Sequence, residues 1–63
     1  MVLTAYEMAT ELVHGAYRMF NSGNISMAED YLDQLDHVRD QLTPEEKEAI
    51  NKIAFQLAEH SMT

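Results

Sequence analysis

The sequence predicts an all-α fold, a three-helix bundle in one domain spanning residues 1–63. Three observations carry that expectation. Three separate stretches open with a helix-start signal, each is followed by apolar residues at helical spacing, and Gly23 and Pro44 fall where the stripes break. Thr4-Ala5-Tyr6-Glu7 fits a capping box, in which the threonine oxygen accepts from a free first-turn N–H and the glutamate reaches back to the cap. From there Ala5, Met8, Ala9, Leu12, Val13, Ala16, Met19 and Phe20 share one broad face, with Glu7, Glu11, His14 and Arg18 opposite. Tyr6 and Tyr17 fall on the boundary, where a ring packs and its hydroxyl stays wet. The first helix is expected over residues 5–21, stopped by Asn21-Ser22-Gly23-Asn24 with Gly23 in the left-handed conformation.

Ser26-Met27-Ala28-Glu29 fits a second capping box, predicting a second helix over residues 26–42. Met27, Tyr31, Leu35, Val38 and Leu42 form its inner face, and Glu29, Asp33, Asp36 and Asp40 the outer one. Thr43-Pro44-Glu45-Glu46 places a threonine cap, a proline at the first helical position and a glutamate at the third. A third helix over residues 44–60 follows, with Ala49, Ile50, Ile53, Ala54 and Leu57 as its core stripe. With Thr43 alone between the second and third helices, the chain must reverse sharply, and up-down-up is the leading topology.

Composition narrows the function. At 63 residues the chain is near the lower limit for burying a self-sufficient core, and with no cysteine it has neither disulfides nor thiolate metal sites to compensate. Self-association as a homodimer is therefore expected. Eleven acids against four bases give a net charge of −7, which disfavours nucleic acid and anionic membranes and favours basic protein surfaces. The start MVLTAYEMATEL has no basic n-region and no long apolar run, so a cytoplasmic location is expected.

Leu12, Ala16 and Met19, followed by Gly23, Ile25, Ala28, Leu32 and Leu35, have a spacing that resembles a tetratricopeptide helical hairpin. The resemblance covers residues 12–35 once. It implies a tight turn at the glycine and a close helix approach at Ala28, without the neighbouring repeats a solenoid needs. In length, acidity and helical pattern the whole chain is similar to the small early proteins encoded in the exo-xis region of lambda-like phages. That resemblance implies a non-enzymatic accessory protein that biases phage development or host physiology through a host partner, and it brings no site residue with it.

No motif declares a chemistry. Asp33, Asp36, His37 and Asp40 share the outer side of the second helix, but one exposed stripe rarely encloses an ion, so no metal is expected. His14, His37 and His60 lie on three different helices, and Ser22, Ser26 and Ser61 have no nucleophile elbow around them, so neither catalytic residues nor cofactors are expected. The five methionines divide: Met8, Met19 and Met27 fall on core faces, Met1 is the initiator and Met62 extends an anomaly on the third helix. There Phe55 projects almost opposite Ile50, Ile53 and Leu57, between Asn51, Lys52 and Glu59. Phe55, Met62 and Asn51 are the expected dimer or partner interface, unless the Val2-Leu3 segment or a splayed bundle buries the aromatic ring within the chain. The expected function is that of a small phage accessory or regulatory protein binding a host or phage cytoplasmic protein. The alternative is an acidic nucleic-acid mimic or masking chaperone that presents Glu29, Asp33, Asp36 and Asp40 to a basic protein surface.

Overall fold

Local hydrogen bonding places the first helix where the sequence signals it. Thr4 Oγ1 accepts from the Glu7 N–H at 3.1 Å and the Thr4 N–H donates to Glu7 Oε1 at 3.2 Å, a complete capping box. The computed structural model describes residues 3–61 and contains α1 (Ala5–Asn21), α2 (Ile25–Arg39) and α3 (Pro44–Ser61). At the end of α1 the Asn24 N–H reaches the Met19 carbonyl and the Gly23 N–H reaches that of Phe20, with Gly23 at φ +84°. These bonds form a Schellman motif, which needs one left-handed residue and finds it in glycine.

The motif also decides the start of α2. It delivers Asn24 to the cap position, where Asn24 Oδ1 accepts from the Met27 N–H at 3.2 Å. Ser26 is consequently inside the first turn, and the capping box expected at Ser26-Met27-Ala28-Glu29 does not form. Two further expectations for this helix are corrected. Met27 is 45% exposed rather than a core residue. The helix stops at Arg39 instead of running to residue 42, because reversal toward Pro44 takes four residues and not Thr43 alone. Within that turn the Gln41 and Leu42 N–H groups bond the Val38 and Arg39 carbonyls, and Leu42 is still carried into the core. The third start is as expected: Thr43 Oγ1 accepts from Glu46 N at 3.1 Å and Thr43 N donates to Glu46 Oε1 at 2.9 Å.

The three helices form a bundle organised around α1, which packs against both α2 and α3 while α2 and α3 barely touch. Residues at zero exposure are Ala9, Val13, Ala16 and Ala28, joined in the core by Leu35, Leu42 and Ile50. An interior dominated by alanine lets helix axes approach closely but buries little apolar area per residue. Gly15 on α1 continues the theme: a Cβ added there would meet the Tyr31 ring at 3.4 Å. Gly15 and Tyr31 stand eight residues on either side of Gly23, as an antiparallel hairpin about that glycine requires. Ala28, the position of close approach in the tetratricopeptide resemblance, is fully buried.

Candidate functional site

On α3 the apolar stripe of Ile50, Ile53, Ala54 and Leu57 turns toward α1, and Phe55, one residue beyond Ala54, is carried out of the core. Its ring is 65% exposed, the most exposed of the large apolar side chains among the described residues. Leu3 does not cover it: that side chain lies in a furrow beside α1 and α2 with Met8, Leu12 and Tyr31. Val2 and Met62 lie outside the described residues. Asn51, one turn before Phe55, is exposed and its Oδ1 accepts from an Arg39 guanidinium N–H at 3.0 Å. The sequence grouped Asn51 with Phe55; the structure also ties it to α2.

The slight contact between α2 and α3 leaves a cleft of about 330 Å³ between them. Its floor is Val13 and Tyr17 from α1, with Leu32 and Leu35 from α2 and Ile50 and Ala54 from α3. Its walls are Asp36 and Arg39 on one side and Asn51 on the other. The Tyr17 ring is backed by Phe20 at a centroid distance of 5.8 Å, tilted by 55°, a geometry favoured by aromatic quadrupoles. Phe55, four residues after Asn51 on α3, does not line this cleft and stands on the outer side of the helix.

Glu29, Asp33, Asp36 and Asp40 are all exposed, as their helical register requires, and Asp36 is the one that also lines the cleft. Among the described residues no three His, Asp or Glu side chains converge as a metal site would require. His14, His37 and His60 remain on separate helices, with His14 Nδ1 at 3.0 Å from the Thr10 carbonyl of its own helix. No polar side chain is buried among the described residues, and no helix is long and apolar enough to cross a membrane.

Two features escaped the sequence reading. Ile25, 49% exposed, joins Met27 as apolar surface at the start of α2. The signal for both was Asn24, as competent a cap as Ser26 and placed directly after the glycine turn. The second is the broad furrow of about 670 Å³ along α1 and α2, lined by Leu3, Met8, Leu12 and Tyr31 among others. Comparison with protein-family models, curated proteins and solved structures finds no match for this chain.

Proposed function

We propose that this chain is a small non-enzymatic binding protein, of the accessory or regulatory kind made early by lambda-like phages, that engages a host or phage protein in the cytoplasm. The observation that carries the reading is Phe55, an aromatic residue at 65% exposure on a helix whose other large apolar residues turn inward. Exposing a phenylalanine forgoes roughly 2 kcal/mol of burial, and aromatic anchors of this kind concentrate binding energy at protein interfaces. The non-catalytic part is supported by the surroundings of the acids and histidines, which are exposed except for the half-buried cap residue Glu46. The phage assignment is supported by the similarity in length, acidity and helical pattern alone.

Phe55→Ala tests the reading. The expected result is an unchanged helical circular-dichroism signal together with loss of a partner that the unsubstituted chain retains, or a shift toward monomer in sedimentation if the partner is a second copy. An unfolded variant would remove the interface reading. The acidic-mimic alternative is favoured by one observation, that Glu29, Asp33, Asp36 and Asp40 are all exposed. It predicts association that collapses with salt and ignores Phe55, because exposed charges are screened within about 10 Å at ordinary ionic strength.

A further inference from the structure

We infer that the cleft between α2 and α3 receives a basic amphipathic helix from a partner protein, with apolar side chains on the cleft floor and lysines or arginines against the α2 rim. The inference rests on the reading of this chain as a protein-binding module and adds the site and the partner's chemistry. A volume of about 330 Å³ is at the lower end for small-molecule pockets, roughly 300–1,000 Å³, and suits a few inserted side chains better than a cofactor. The cleft lies between two helices over an apolar floor, the arrangement that accepts a third helix through anchors at i, i+3 or i+4 and i+7.

Charge selects the occupant. Asp36 lines the cleft, and Glu29 and Asp40, seven residues before it and four after, fall on the same face of α2 and are exposed. The opposite rim carries Asn51, and Phe55 lies outside the cleft on the outer side of α3. An incoming helix thus meets acids on one flank, the Asn51 amide on the other and mainly aliphatic side chains below. A second copy of this chain fits poorly, since it brings its own −7 charge and its Phe55 face carries Glu48 and Glu59 against the single Lys52. At one point Arg39 crosses the cleft to Asn51, an exposed hydrogen bond that water can replace. Removing the Arg39 side chain takes away both that strap and the one cation on the rim.

The test uses the full chain, isotopically labelled, and a synthetic amphipathic helix with leucines on one face and lysines on the other. A peptide of the same composition in scrambled order is the control. Expected are amide shift changes centred on Leu32, Asp36, Asn51 and Ala54, and binding at least about tenfold tighter than the scrambled control. Asp36→Lys is expected to weaken the helix roughly tenfold at low salt and less at high salt, whereas Arg39→Ala strengthens it several-fold. Both substitutions are at exposed or half-exposed positions, and retained helical signal certifies the fold. Equal binding of the scrambled peptide overturns the inference in favour of nonspecific attraction to an acidic chain. Shifts confined to Phe55 and its outer neighbours overturn the cleft while leaving the protein-binding reading intact. Concentration-dependent dimerisation that shifts Leu32 and Ala54 without peptide also overturns it, by naming a second copy as the occupant. Absence of any peptide binding overturns it as well, and the Phe55→Ala comparison then decides the broader reading separately.

Discussion

The α1–α2 hairpin and α3 are built from the same kind of amphipathic helix yet are held in different ways. In the hairpin, Ala9, Ala16 and Ala28 reach zero exposure and the Tyr31 ring lies against Gly15, so backbones meet closely along much of their length. A three-residue connection closes it, with Asn24 both completing the Schellman turn of α1 and capping α2. α3 begins with an equally good capping box but reaches the core mainly through Ile50, helped by Leu42 just before it, and leaves Ile53, Ala54 and Leu57 half-buried. Its contact with α2 is slight. The hairpin buries its small residues in close contact and leaves apolar surface only at the start of α2, at Ile25 and Met27, whereas α3 exposes its one phenylalanine midway along the helix.

Substitutions can break this contrast in order of size. Ile50→Ala is expected to be the most damaging, at about 3 kcal/mol, because it removes the one fully inserted large side chain of α3. Native-state hydrogen exchange should then show α3 amides losing protection before those of α1 and α2; simultaneous loss would mean that the two regions are one cooperative unit. Ala28→Leu attacks the hairpin instead, forcing methylenes into a fully buried contact at about 2 kcal/mol, measured by thermal or urea unfolding. Stability unchanged by that substitution would show that the close approach is not what holds the hairpin.

Gly23→Ala is a smaller and cleaner test. A Cβ there meets nothing within 4 Å, so the expected loss of about 1 kcal/mol comes from the φ of +84° alone. Phe55→Ala sits at the bottom of the order for folding, within about 0.5 kcal/mol, although it is expected to have the largest effect on association. Changing Asp33, Asp36 and Asp40 together to asparagine should raise the melting temperature slightly. The first two pairs are like charges three and four residues apart, and Asp36 and Asp40 stand at the negative end of the α2 dipole. A fall in melting temperature would mean that these carboxylates hold a structural partner.

The starts of α1 and α3, the stop at Gly23 and the outward direction of Phe55 and of the α2 acids could all be read in the residues. Each depends on groups within one or two turns, and hydrogen bonds at a cap or periodicity along a helix need no distant partner. Two choices needed the tertiary structure. Asn24 and Ser26 were both competent caps, and the winner was decided by the turn that α1 imposes, which in turn displaced Met27 from the core. The end of α2 at Arg39 was decided by the space the chain needs to bury Leu42 and restart at Pro44. The cleft depends on the same kind of information. Helical register marks Leu32, Leu35, Ile50 and Ala54 as apolar, but whether those faces meet or stand apart depends on how deeply alanine and glycine let α1 settle against each neighbour. Packing distance is a property of pairs of surfaces, and no single helix carries it in its own sequence.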